Sequence, residues 1–385
     1  MRTIDAAAHN PRQQKLWEDF EAGRPSRTPV ILGINPRYYA GLPEVNVHGI
    51  SFREYTEDPA VMMDYQCRCE EYRRLYIPFD EEKGMPEFWS PYVDWQNFYD
   101  AAWWGAEVVF IAGNVPDTHP FLTDDNKYAV LDAGAPAPDA RWMGKALEYY
   151  ERMLKLARGF TYQGIPVKVQ LPHVLMSFDG PFTVACNIRG ASQICLDLYE
   201  DPDYAHQLLE LITEATIARI LYWRRAFGLP ERAPGHGFAD DSIALLSPAM
   251  YKKFVLPCHK RMMEALGDGV HSNAVHLCGD ASRHFLTIRD ELNVKSFDTG
   301  YPIDHAKMAE ALGPDVRING GPHVELLRLS TPAAVKAECR RILESVKPFT
   351  RRFVLREGNN LPPGVPLENL WAMYEAAEEY GAYPC

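Results

Sequence analysis

His276 and Cys278 stand two residues apart in the run Asn273-Ala274-Val275-His276-Leu277-Cys278-Gly279, which reads as a short apolar β-strand. Residues two apart on a strand point to the same face, so an imidazole and a thiol project together. Both are good zinc donors, and a catalytic zinc takes three protein ligands and keeps one position open. The spacing alone supplies no third ligand. The competing reading makes His276 a hydrogen-bonded wall residue and Cys278 a small apolar filler.

Other strand ends carry further polar groups. Asp240 and Asp241 follow an aromatic-glycine strand end. Neighbours on a strand cannot both face one pocket, so one serves the site and the other caps the turn at 242–247. The working carboxylate would act as a general base or hold a cationic substrate group. Asp298, Asn319, Glu357 and Asn359 end three further runs. Arg37, in Asn35-Pro36-Arg37-Tyr38 directly after the first strand, would bind a substrate carboxylate in two-pronged fashion. An exposed loop arginine is its bland alternative. His323 follows Gly320-Gly321-Pro322, where glycines allow the backbone to approach a ligand. It reads as a loop histidine near the substrate rather than a metal ligand. Cys339, in a helix of core periodicity, and Cys385, at the terminus, read as inert.

Such residues share a pocket only if their strands lie side by side. Candidate strands are 29–34, 108–113, 167–171, 237–241, 273–279, 295–299, 316–320 and 353–357. They are apolar without clean alternation, as in parallel strands covered on both faces. Asp201-Pro202, Ser247-Pro248 and Thr331-Pro332 each place a capping side chain before a first-turn proline, marking the helices between. The last helix sets Leu370, Met373, Tyr374 and Ala377 at helical spacing and ends at Gly381. About eight strand–helix units predict an α/β fold, a single-domain (β/α)8 TIM barrel with active groups at the strands' C-terminal ends. A doubly wound open sheet is the alternative, disfavoured because no strand leads into a G-x-G-x-x-G turn. Residues 1–28 read as an N-terminal helical extension and 29–385 as the barrel. The aromatic-rich stretch 72–105 reads as an elaboration over the barrel's side. Its functional reading, a lid or docking surface at 85–104, follows from the contact area aromatics give.

The 385 residues carry a formal net charge of -12 and are 46% hydrophobic. That is enough apolar content for a large core, and the wrong charge for a nucleic-acid or anionic-membrane partner. No window approaches the ~18 consecutive apolar residues of a membrane helix. The N-terminal stretch lacks the apolar segment of a secretory signal, and eight irregularly spaced cysteines read as reduced thiols. The expectation is a soluble, cytoplasmic protein.

Several strings, in order along the chain, resemble the uroporphyrinogen decarboxylase superfamily. They are GPFTVACNIRG at 180–190, ADDSIALLSPAMYKKFVLP at 239–257, HLCGD at 276–280, INGGPHVELLRLSTPAAV at 318–335 and EGNNLPPGVPLENLWAM at 357–373. The superfamily holds the haem-pathway decarboxylases and the corrinoid-linked methyltransferases, and the resemblance implies a (β/α)8 barrel. The decarboxylases carry an arginine-rich loop after the first strand, of which only Arg37 remains here. Their tyrosine in the GPFT segment is Asn187, and their histidine near the C-terminus is Asn359. The zinc methyltransferases use H-x-C plus a later cysteine. His276 and Cys278 match the first two, while Asn359 stands where the third is expected. An asparagine amide is a poor zinc ligand beside a thiolate, so Asp241, Glu357 or another carboxylate would complete the site, or the metal is absent or different.

The leading expectation is therefore a methyltransferase with zinc at His276 and Cys278. It would move a methyl group between a small substrate or thiol and a corrinoid on a partner protein. In that reading Asp240 or Asp241 orients the substrate, Glu357 is ligand or acid, and Arg37, Asn187, Asp298 and His323 line the substrate site. The alternatives are a cofactor-free decarboxylase of a carboxylated, tetrapyrrole-like substrate and a barrel that binds a ligand without catalysis. A homodimer is compatible with all of them.

Overall fold

Strands that alternate with helices in the second half of the chain pair in parallel and in sequence order. In the computed structural model, which describes residues 2–383, one sheet holds β1 (Gly237–Ala239), β2 (Asn273–Leu277), β3 (Val294–Thr299), β4 (Arg317–Gly320) and β5 (Phe353–Leu355). Helices 256–266, 285–292, 305–312 and 332–346 connect them, and helix 367–380 follows. Val275, Leu277, Phe297, Ile318, Phe353 and Leu355 are buried, while Ala274, His276, Ser296 and Asp298 are half-buried on the opposite face. That alternation is the strand period separating a helix-covered face from an inner face. The register joins Ala239, His276, Asp298, Asn319 and Val354 in one continuous rung. The rung sets the expected active groups abreast.

Parallel bridges extend this sheet at both ends: Val30 with Leu355, and Asp179 with Ala239. A separate parallel contact joins Trp89 to Val167, with Lys168 N–H donating to Trp89 C=O at 2.8 Å and Gln170 N–H to Pro91 C=O at 2.9 Å. Among the described residues no backbone hydrogen bond joins 30–33 to 89–92. Instead Asp80 N–H donates to Val30 C=O at 2.9 Å. The expected closed ring of eight strands is therefore not what the backbone draws: it has a seam beside the first strand. A cavity of about 250 Å³ lies at this seam, lined by Asn35, Tyr39, Gln66, Trp89 and Tyr92 among others. A second, of about 500 Å³, is lined by Gly33, Asp80, Arg317 and Arg356 among others.

One more expectation is corrected. The run 108–113 is not a barrel strand, because Val108–Val109 pair antiparallel with Asp117–Thr118 in a short hairpin. The aromatic stretch packs as an elaboration. Trp89, Trp95, Phe98, Tyr99, Trp103 and Trp104 are buried, and Trp95 packs on Trp142 and Tyr149 with ring centroids 5.0 and 4.8 Å away. Each such ring takes roughly 150–250 Å² out of water, so these residues anchor the elaboration.

The first helix, Ala6–Glu21, is capped by the Asp5 carboxylate and buries Leu16 and Phe20. Trp17 Nε1 donates to Asp80 C=O at 2.7 Å, and Arg352 Nη1 to Phe20 C=O at 2.7 Å, so the helix packs on the sheet ends. Asp201, Ser247 and Thr331 cap their helices as their spacing predicts. Cys339 is buried in helix 332–346, and Cys385 lies outside the described residues. No described helix is long and apolar enough to cross a membrane.

Candidate active site

The ends of β1 and β2 bring three donors together. Asp241, His276 and Cys278 each offer a ligand atom, and these atoms lie within 4.8 Å of one another. His276 and Cys278 share a face through the two-residue strand period, with Nε2 3.0 Å from Sγ. Asp241 opens the turn after β1, and its Oδ1 accepts the Cys278 backbone N–H at 2.7 Å. Asn359 comes from the loop after β5, its Oδ1 lying 3.5 Å from Cys278 Sγ and accepting the Asn360 N–H at 2.7 Å. A glycine is required opposite: a Cβ at Gly300 would lie 1.5 Å from the Cys278 carbonyl oxygen.

Nδ1 of His276 hydrogen-bonds Asp298 Oδ2 at 2.6 Å. Arg356 Nη1 donates to the same oxygen, and Arg356 Nε reaches Glu357 Oε1 at 3.3 Å. Glu357 is fully buried. Its Oε1 also accepts Gly33 N–H at 2.8 Å, while Oε2 has no partner.

Burial sets the protonation states. It pushes the Cys278 thiol well up, with the Asp241 carboxylate adding to the effect. It pushes His276 down, so the imidazole is neutral and offers a lone pair. It raises Glu357 to about 7, against the pull of Arg356. Asp179, whose strand bridges Ala239, is held far above the usual carboxylate range by burial and by Asp100, Asp241 and Asp240.

The donor set fits a metal such as zinc. Nitrogen, thiol sulfur and carboxylate oxygen are its common ligands, and three of them leave a position for substrate. The carboxylate behind His276 is the partner that metal-bound histidines characteristically have. Glu357, weighed as a ligand from sequence, is outside the cluster.

Of the aspartate pair, Asp241 faces the site and Asp240 does not. Asp240 is fully buried and accepts from Phe182 N–H at 3.2 Å, Thr183 N–H at 2.7 Å and Thr183 Oγ1 at 2.7 Å. It thereby caps helix 181–189 rather than the turn at 242–247, and it pairs with His259 Nε2 at 2.9 Å. Gly180 leaves room for this, since a Cβ there would meet the Asp240 carboxyl carbon at 2.2 Å.

Arg37 is half-buried with Nε unpartnered. Burial lowers its pKa, opposed by Asp94 and Cys278, which places its guanidinium in the electrostatic reach of the donor set. The His323 ring packs tilted against Tyr301, in the loop after β3, with centroids 4.3 Å apart. Asn187 lies half-buried on helix 181–189, away from the hydrogen bonds that join the cluster. Asn319 sits in the rung beside Asp298 and accepts Arg317 Nε at 2.9 Å.

Sequence reading missed Arg356, Asp179 and His259. The inner-face period on β5, which places Val354 inward, would have found Arg356. A histidine within a helix and an aspartate in a short bridge give no comparable signal.

A parallel α/β scaffold with mixed nitrogen, sulfur and oxygen donors at its strand ends defines an enzyme-like site. The chain belongs to the uroporphyrinogen decarboxylase family: the family model Uroporphyrinogen decarboxylase (URO-D) matches residues 101–380. Among curated relatives, the methylated-thiol–coenzyme M methyltransferase of Methanosarcina mazei is 29% identical over 207 residues, covering 52% of this chain and 51% of that protein. The match thus spans about half of that relative's length. The uroporphyrinogen decarboxylase of Xanthomonas axonopodis pv. citri is 26% identical over 292 residues, covering 71% of this chain and 75% of that one. A solved methyltransferase from Methanosarcina mazei superposes with a TM-score of 0.64 at 18% identity, covering 96% of this chain and 98% of that one. That likeness extends the shared fold over nearly the whole chain.

Proposed function

We propose that the chain is a methyltransferase in which Asp241, His276 and Cys278 hold zinc. Its methyl group passes between a thiol or another small substrate and a corrinoid carried by a partner protein. Zinc, when bound, supplies Lewis acidity that lowers the pKa of a thiol or polarises a methylated heteroatom. The observation that carries the reading is the three-donor cluster, with Asp241 completing the set that Asn359 leaves short. The Methanosarcina relative named for methylated thiols and coenzyme M supports the branch.

The chain's own residues have distinct tasks. Asp298 orients His276 through Nδ1, leaving Nε2 to the ligand side. Asn359 stands beside the Cys278 thiol. Arg37, lacking a partner at Nε, takes an anionic group on the substrate. Glu357, raised to about 7, can hold a proton near neutrality.

Purified protein should carry about one equivalent of zinc, lost in His276→Ala, and should methylate free cob(I)alamin from a methyl thioether. Absence of metal after gentle purification would overturn the zinc assignment.

The unpartnered Arg37 nitrogen favours one second reading, a decarboxylase that grips a substrate carboxylate. That reading requires carbon dioxide release from a carboxylated tetrapyrrole, abolished in Arg37→Ala.

A further inference from the structure

Arg356 lies one residue beyond β5, on the same inner face as Val354, and its side-chain hydrogen bonds go to Asp298 and Glu357 rather than to Cys278 or Asp241. Its guanidinium is nonetheless fixed on several sides. Nη1 donates to Asp298 Oδ2, and Nε reaches Glu357 Oε1 at 3.3 Å. Gly33 makes the space, since a Cβ there would lie 2.2 Å from Arg356 Nη2 and 2.5 Å from Glu357 Oε1. The side chain is only 12% exposed.

The consequence concerns one oxygen. Asp298 Oδ2 receives both Arg356 Nη1 and, at 2.6 Å, His276 Nδ1, while Asp298 Oδ1 is buried without a partner. An arginine guanidinium has donors only and does not lose its proton in proteins. The oxygen it contacts accepts that bond, and the adjacent positive charge favours the ionised carboxylate, in which Oδ2 carries no hydrogen. The neighbouring His276 nitrogen, sharing that oxygen, must then supply the hydrogen of its own bond. That assigns the proton of the neutral imidazole to Nδ1 and leaves the lone pair on Nε2, which faces Cys278 Sγ at 3.0 Å. Without the arginine the short Asp298–His276 contact could place its hydrogen on either atom, and the ring would be free to flip its donor toward the site.

We infer that Arg356 is a positioning residue which, acting through Asp298, locks His276 in the tautomer that presents Nε2 to the ligand-binding face. The inference rests on the proposed zinc site for its purpose, although the tautomer lock itself needs no metal.

Nitrogen-15 NMR of histidine-labelled, metal-free protein reads the lock directly. His276 should be a single Nδ1–H tautomer in the parent and in Arg356→Lys, which keeps a donor. It should become a mixture in Arg356→Met. Zinc affinity, measured by competition with a chromophoric chelator, should fall about 10–100-fold in Arg356→Met, the range for outer-shell partners of metal ligands. In Arg356→Lys it should stay within a few-fold of the parent. Should Arg356→Met fail to fold, Arg356→Gln, whose shorter side chain stops short of Asp298, serves the same comparison. An unchanged single tautomer in the donor-free variant would overturn the inference. A parent protein that binds no zinc but shows the tautomer change would remove the metal reading and leave the lock standing.

Discussion

Asp241 Oδ1 accepts the backbone N–H of Cys278 at 2.7 Å, tying the turn after β1 to the end of β2. One carboxylate thus holds the thiol's backbone in place and stands among the three donors. Asp241→Ala should remove a ligand and the tie together. Zinc affinity should fall by more than the roughly 10–100-fold typical of outer-shell changes. Global stability should fall only by about 1 kcal/mol, the worth of one hydrogen bond. Chelator competition and urea unfolding separate the two, and an unchanged zinc affinity would remove Asp241 from the ligand set.

Its neighbour should behave in the opposite way. Asp240 is buried under four hydrogen-bonding contacts, from Phe182, Thr183 twice, and His259. Asp240→Ala leaves those donors unpaired in the interior, which costs about 3–5 kcal/mol. The urea midpoint should drop sharply, whereas the folded protein should bind zinc as before. Parent-like stability in this variant would show that the capping network is dispensable.

The contrast between these two aspartates marks what was legible in the sequence. The strand period puts His276 and Cys278 on one face, and the strand ends lie near one another at Asp241, Asp298 and Asn359. Adjacent aspartates cannot be ranked without knowing which strand side faces inward, so Asp240 and Asp241 stayed equal. Arg356 was passed over because its importance lies in a partner 58 residues away, Asp298. The second half of the fold reads well, since strong apolar strands alternate with capped helices. The first half does not. Its parallel strand contacts at Val30, Trp89 and Asp179 are isolated bridges, and an apolar run such as 108–113 looks the same in a hairpin as in a barrel.

Glu357 gives a pH signature. Burial raises its carboxyl from an ordinary 4.5 to about 7, so between those values the folded protein holds a proton that the unfolded chain has released. The stability this contributes is complete below pH 4.5 and is lost as pH rises through about 7. Glu357→Gln keeps the shape and cannot titrate. Its urea midpoint should therefore decline less steeply than the parent's across that window. Parallel profiles would show that Glu357 titrates as an ordinary surface acid does.

The close approach at Gly300 predicts a backbone defect. A Cβ there would sit 1.5 Å from the Cys278 carbonyl oxygen, and no rotamer relieves a clash between main-chain atoms and Cβ. Gly300→Ala must push the end of β3 away from β2, breaking the Asp298–His276 contact. Zinc affinity and stability should fall together, with a loss of at least about 2 kcal/mol by overpacking. Unchanged values for both would mean that the two strand ends are free to separate.

Zinc binding should also release protons in a defined number. Burial and Asp241 push the Cys278 thiol well above its ordinary range, so at pH 7 the metal-free site carries S–H. Burial pushes His276 down, so the imidazole has no proton to lose at Nε2. A metal binds thiolate and neutral imidazole, and each proton displaced appears in solution. The count should be about one per zinc, entirely from Cys278, and affinity should rise about tenfold per pH unit around neutrality. Calorimetric titrations in two buffers of different ionisation enthalpy measure this count. A value near zero would mean a preformed thiolate, and a value near two a protonated His276. Either result would contradict the electrostatics that the buried donor set imposes, because burial acts on both groups in the direction that yields one.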